Sequence, residues 1–354
     1  MSTNRSHPTA IRPSKAEIQR GSLTPQNVEI AMRSLHHDGL VVVNDVVPHE
    51  TLDQLNEKMV QDAYTLYARK ENSPFNYNPN NIQQDPPPMR QYFDARIFLS
   101  RCQSETTPRL SENNSPTPMT DDLKDPIATQ LTSTALGPLP KWTFCSGNSA
   151  MPPTAENPPV SQPVHTDADF DHPSHPFAYV VNIPLIEMTP ENGSTEVWLG
   201  THQETDLSFQ DGQHGERASG RIKIAELEKR RAIRPPCQPT VPKGSIVIRD
   251  LRLWHAGIGN QTDTVRVMLA MSESSQYSPP QDPWLICSAQ SVHFAPWYRN
   301  PMRLQLADDL KPLIEASNSL EIPVDWDTRA AVAAQYLNRA FGNAYDFSQG
   351  TNAQ

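Results

Sequence analysis

Trp254-His255-Ala256-Gly257-Ile258-Gly259-Asn260-Gln261-Thr262-Asp263-Thr264-Val265-Arg266-Val267-Met268-Leu269-Ala270-Met271 is the stretch whose reading decides the fold. Val265, Val267, Leu269 and Met271 alternate with Arg266, Met268 and Ala270. A period of two marks a strand whose two faces meet different surroundings. The segment 259–262 reads as a turn. The spacing then predicts a hairpin with Ile258 opposite Asp263 and His255 opposite Arg266. Opposed side chains on one face of such a pair sit roughly 5 Å apart at Cβ.

Outward from this stretch the strand signals continue. Lys243-Gly244 is a turn before Ile246-Val247-Ile248. Residues 177–185 alternate Tyr179, Val181, Ile183 and Leu185, predicting a half-buried strand, and Glu191-Asn192-Gly193-Ser194 turns the chain into a strand over 195–199. Short strands separated by turns indicate a small barrel or sandwich. Helices flank it. Thr24-Pro25 starts one that runs to about residue 37, and Pro48 starts another with Leu52, Leu55, Met59 and Ala63 at helical spacing. A helical patch falls near 224–231, and two more segments, 303–317 and 328–341, close the chain. Gly39 opens the apolar run Leu40-Val41-Val42-Val43, and one further strand is expected at 92–99. The chain reads as one domain over 23–345 behind a mobile tail at 1–22. Within it, 23–160 is rich in helix and loop, the barrel core lies at about 90–290, and the C-terminal helices span 300–342.

Composition narrows the function classes. The 35 prolines crowd into 86–88, 107–140, 152–163 and 235–242, which marks long loops, expected here as covers of a site. Net charge is −10 with no basic cluster, which argues against a nucleic-acid partner. No apolar run reaches the 18 or so residues of a membrane span, and residues 1–20 contain no secretion signal. Cys102, Cys145, Cys237 and Cys287 are widely spaced, as expected of reduced thiols in a cytoplasmic protein.

The chemistry rests on His165-Thr166-Asp167, His255 and Arg266, eleven positions after His255. Side chains two apart on a strand share a face, so His165 and Asp167 point the same way. Two histidines and one carboxylate on one face of an octahedral ion leave the other positions open, the arrangement of non-haem Fe(II) oxygenases. A guanidinium opposite the second histidine is placed to clamp the far carboxylate of a metal-bound 2-oxo acid. Asp169 is a rival ligand, but the His165–Asp167 pair is tighter in sequence. His172 and His175 lie in a loop, and His202 is read as structural.

This set resembles the phytanoyl-CoA dioxygenase family of Fe(II)/2-oxoglutarate oxygenases, especially its fungal secondary-metabolism members, over residues 35–275. The resemblance implies a mainly β fold, a double-stranded β-helix (a cupin-like jelly roll) buttressed by N- and C-terminal helices. It implies that His165, Asp167 and His255 hold iron and that Arg266 grips 2-oxoglutarate. Gln162, three residues before His165, and Thr195 of the Asn-Gly-x-Thr segment match further cosubstrate contacts. Pro190-Glu191-Asn192-Gly193 and Leu199-Gly200-Thr201-His202 are similar to family stretches, with Leu199 where proline is usual. The implied reaction couples decarboxylation of 2-oxoglutarate, with O2, to oxidation of an unactivated C–H bond. The carboxylate at 167 points to oxygenation; related halogenases lack it. The expected substrate is a small apolar natural product, a terpenoid, meroterpenoid or alkaloid, and a homodimer is expected from related enzymes. The alternatives are a phytanoyl-type acyl-CoA 2-hydroxylase and a metal-binding jelly roll without turnover.

Overall fold

A computed structural model of the chain describes residues 7–70, 73, 75–76, 78–84, 126–137, 140–169, 172, 174–203, 205–211 and 220–274. The strand expected at 92–99 and the helices expected at 303–317 and 328–341 lie outside the described residues.

Among the described residues, ten strands form two sheets. They are β1 (Thr9–Ile11), β2 (Leu40–Val43), β3 (Phe75–Asn76), β4 (Asn78–Gln84), β5 (Lys141–Ala150), β6 (Ala178–Pro184), β7 (Glu196–Val197), β8 (Ile246–Asp250), β9 (His255–Ala256) and β10 (Arg266–Ser274). The larger sheet has eight strands in the order β1-β2-β8-β6-β10-β5-β4-β3, and β7 pairs with β9 in the smaller one. All pairs are antiparallel except β1 with β2. Isolated bridges, among them Met188 with Val241 and His165 with His255, extend the small sheet. Two facing sheets of short antiparallel strands make the jelly roll.

Helices α2 (Pro25–Asp38), α3 (His49–Tyr67) and α4 (Pro126–Leu136) cover the outer face of the large sheet, preceded by α1 (Lys15–Arg20), of which only Glu17 is buried. Thr24 caps α2 with Pro25 at its first turn, and Gly39 ends it in the left-handed conformation at φ 72°. Leu52, Leu55, Met59 and Ala63 are buried along α3, as their spacing predicts. They pack with Leu35, Leu131, Val181, Ile183, Ile248, Val267 and Leu269 in one core. Fully burying a leucine or isoleucine there is worth about 1.5–3 kcal/mol. A second cluster, including Leu40, Val42, Val197 and Leu253, packs one end of the space between the sheets. Helix α5 (Ile224–Ile233) lies where the helical patch is expected.

Four expectations need correction. First, residues 7–22 are not a mobile tail: Thr9 to Ile11 pair in register with Val41 to Val43, and α1 carries a capping box between Ser14 and Glu17. Second, 254–271 is not a hairpin. β9 pairs with β7, while β10 runs between β5 and β6 with Arg266 opposite Ala150. The loop between them crosses from one sheet to the other. Asn260 fastens it by donating to Ala150 O at 3.0 Å and Thr264 O at 2.7 Å, and Gln261 N–H donates to Glu191 O. Third, β6 is buried on both faces: Tyr179, Val181 and Ile183 enter the core, while Val180 and Asn182 line the cavity between the sheets. Fourth, the sheet begins well before residue 90, and 72–163 contains β3, β4, α4 and β5.

Candidate active site

The two histidines are brought together by backbone pairing between the chain just before Asp167 and β9. His165 N–H donates to His255 O and His255 N–H to His165 O, both at 2.9 Å, so the two residues are direct neighbours across an antiparallel bridge. Their ring centroids lie 4.3 Å apart. His165 Nδ1 meets Pro163 O at 2.8 Å, and His255 Nδ1 meets Leu253 O at 3.0 Å. A carbonyl only accepts, so each Nδ1 carries the proton and each Nε2 is the unprotonated nitrogen of its ring. Those Nε2 atoms face Asp167: His165 Nε2 is 3.8 Å from Oδ1 and His255 Nε2 is 3.7 Å from Oδ2.

Burial pushes both imidazoles below their ordinary pKa, although Asp167 opposes it; for His255 the Arg249 guanidinium adds to the fall. Burial pushes the Asp167 carboxyl up, but Arg249 and the two imidazoles outweigh it and hold the group below the usual carboxylate range. Three acceptors with no proton between them thus converge in a buried place, and one donor atom from each lies within 4.8 Å of the others. Mutually repelling lone pairs of two imidazoles and a carboxylate are what a divalent ion would bridge, and this donor set fits a ferrous ion. Asp169 is buried nearby but is not part of the cluster.

Arg266 is the second element. It is 2% exposed, and its Nη2 donates to Gly193 O at 2.9 Å. Its Nε and Nη1 have no partner. Burial pushes its pKa down to about 10, so it remains a cation at neutral pH. A buried guanidinium with two spare N–H groups fits a carboxylate, which accepts such a fork. Its seat is fixed by the Asn192-Gly193 turn. The Asn192 side chain accepts from Thr189 N–H and donates to Glu187 O, both at 2.8 Å, and Gly193 sits at φ 81°. A Cβ at 193 would lie 2.4 Å from Ile258 O, so only glycine fits.

His165, Asp167, His255, Arg266, Gln162 and Thr195 all line one cavity of about 750 Å³, part of it open to solvent. Gln162 is tied down: its Oε1 accepts from Gly257 N–H at 3.0 Å, and its own N–H donates to Gly257 O at 2.8 Å. It therefore positions the strand after His255. Thr195 is half-buried at the cavity wall. The wall opposite the small sheet is polar, built from Gln83, Ser146, Asn148, Asn182 and Ser272, with Met268 and Ala270 between them. The alternating residues of β10 expected to face away from the core supply Arg266, Met268, Ala270 and Ser272 to it.

Sequence reasoning missed Arg249. It lies on β8 and lines the cavity, and its Nη2 donates to Asp167 Oδ2. The signal was present: Arg249 and Asp250 follow directly on the apolar run 246–248 of a strand buried at nearly every position. Charged groups are rarely that buried unless paired. Asp250 is on the other face and is held by Arg252 through Nε and Nη2, each at 2.8 Å.

Several solved structures are similar to this chain. "Crystal Structure of AviO1 from Streptomyces viridochromogenes Tue57" matches at 16% identity and a TM-score of 0.46, covering 71% of this chain and 96% of that one. The non-heme alpha ketoglutarate dependent epimerase SnoN from nogalamycin biosynthesis matches at 15% and 0.45, covering 71% and 84%. EctD from S. alaskensis, solved with 2-oxoglutarate and 5-hydroxyectoine, matches at 15% and 0.42, covering 72% and 76%. The sequence itself matches the family "Phytanoyl-CoA dioxygenase (PhyH)" over residues 35–268. That match takes in β2 through Met268 of β10, and with them every residue of the cluster and its guanidinium: the chain belongs to the phytanoyl-CoA dioxygenase family.

Proposed function

We propose that this protein is an Fe(II)- and 2-oxoglutarate-dependent oxygenase that oxidises a C–H bond of a small natural product. One observation carries the reading: three convergent metal-ligating side chains and a buried guanidinium with two unbonded nitrogens line the same cavity. Bound iron supplies the redox chemistry, coupling conversion of 2-oxoglutarate and O2 into succinate and CO2 to insertion of the second oxygen atom into the substrate. His165, Asp167 and His255 would hold the metal, the tautomers of the two histidines being fixed by the Pro163 and Leu253 carbonyls. Arg266 binds the far carboxylate of 2-oxoglutarate, and Thr195 contributes at the cosubstrate's edge. The pairing of β9 with β7 and with residue 165 keeps the donors from drifting apart.

A wholly apolar molecule would leave the Asn148 amide facing carbon, and a polar group that loses water without gaining a partner costs free energy. Among the expected classes, alkaloids and oxygenated terpenoids match this wall better than a bare hydrocarbon. The test is anaerobic addition of Fe(II) and 2-oxoglutarate, followed by air. A weak visible charge-transfer band and then succinate release are expected, the latter increased by members of an alkaloid and oxygenated-terpenoid panel above acyl-CoA. No band and no succinate from the wild-type protein would end the oxygenase reading.

A further inference from the structure

Among the described residues, Arg249 is the one charged cavity residue that the proposed chemistry leaves unused. Its side chain is 8% exposed, its Nη2 is spent on Asp167 Oδ2, and its Nη1 has no partner. The contact joins a cation to a residue proposed to hold another cation. A guanidinium there repels a divalent ion, so its presence works against metal affinity and must be explained by something else it does.

We infer that Arg249 is a positioning residue that occupies one oxygen of Asp167, keeping the carboxylate a one-oxygen ligand and the remaining metal positions available to the 2-oxo acid. The inference rests on the oxygenase reading above. With Oδ2 engaged by Arg249, Oδ1 is the oxygen left without that partner, on the side of His165. A carboxylate freed from this contact could give both oxygens to the ion and take a position that 2-oxoglutarate or O2 needs. The same charge acts in the opposite sense on the cosubstrate: among the described residues, Arg249 and Arg266 are the two guanidiniums lining the cavity, and both attract a dianion. Removing Arg249 should therefore tighten metal binding and weaken 2-oxoglutarate binding. A residue that merely held the fold together would weaken both.

The experiment measures Mn(II) binding, and 2-oxoglutarate binding to the Mn(II)-loaded protein, by calorimetry on the full chain. It compares wild type, Arg249→Gln and Arg249→Lys. In Arg249→Gln the Mn(II) dissociation constant should fall about tenfold and that of 2-oxoglutarate rise about tenfold. Arg249→Lys, which keeps the charge, should stay closer to wild type on both measures. The metal-free Arg249→Gln protein should also melt lower and gain more from Mn(II), because its buried carboxylate has lost its partner. Weakening of both ligands in Arg249→Gln, or no change in either, would overturn the inference. If Arg249→Gln does not fold, Arg249→Lys carries the test: a folded lysine variant that binds both ligands much more weakly overturns it equally. Wild-type protein without Asp167-dependent Mn(II) binding would sink the oxygenase reading itself, a result separable from the others.

Discussion

At Arg266 and Gly193 a single carbonyl sets the direction of a cation. Arg266→Ala removes the proposed clamp from a water-poor wall, and breaking a buried charge-assisted contact costs about 2–5 kcal/mol. The KM for 2-oxoglutarate should rise by at least about thirtyfold; an unchanged KM in steady-state succinate assays would remove the clamp role. Gly193→Ala acts on the seat and not on the clamp. The left-handed backbone and the contact with Ile258 O should lower stability by roughly 1–3 kcal/mol, seen as a fall in Tm, and weaken 2-oxoglutarate binding with it. Asp167→Ala should abolish succinate formation with the circular dichroism spectrum unchanged. That His165, Asp167, His255 and Arg266 line one cavity was legible from the family resemblance, although the hairpin expected to set His255 opposite Arg266 does not form. Arg249 was not, because its partner Asp167 lies 82 positions away.

Among the elements, those with one regular apolar face were readable, β10 included although its other face lines the cavity, and β5 was not. α2, α3 and β10 show their periods plainly. β5 reads Lys-Trp-Thr-Phe-Cys-Ser-Gly-Asn-Ser-Ala, and its inward positions Ser146 and Asn148 break the apolar alternation that announces a strand. The expected hairpin failed for a topological reason: a turn signal at 259–262 fits a sheet-to-sheet crossing as well as a tight reversal, and only the pairing of β10 with β5 separates the two. The short helix α1 is held by Glu17, whose carboxylate accepts from Ser14 N–H, Thr24 N–H and the Asn27 side chain at 2.7–2.8 Å. These bonds, Thr24 first, pull its pKa down to about 2. A depressed folded pKa means the unfolded chain takes up the proton first. The stabilisation is therefore full above about pH 4.5 and is lost as the pH falls toward about 2. Wild type minus Glu17→Gln, followed by urea unfolding across that range, should show the difference shrinking with acidity; a constant difference would refute the role.

For the whole molecule, the arrangement separates tasks between layers. The outer face of the large sheet and α2 to α4 form the apolar core, while its inner face, the small sheet and the segment 162–167 line the cavity. Among the described residues no helix is long and apolar enough to cross a membrane. The large sheet ends at β1, three residues that pair with β2 and cover its margin. Deleting the first thirteen residues would strip that margin and bare the outer hydrogen-bonding groups of Leu40-Val41-Val42-Val43, a flat valine-rich ribbon of the kind that recruits strands from other chains. Expression trials begun at residue 14 or later should therefore yield self-associating material on size-exclusion chromatography, where the intact protein elutes as a defined species.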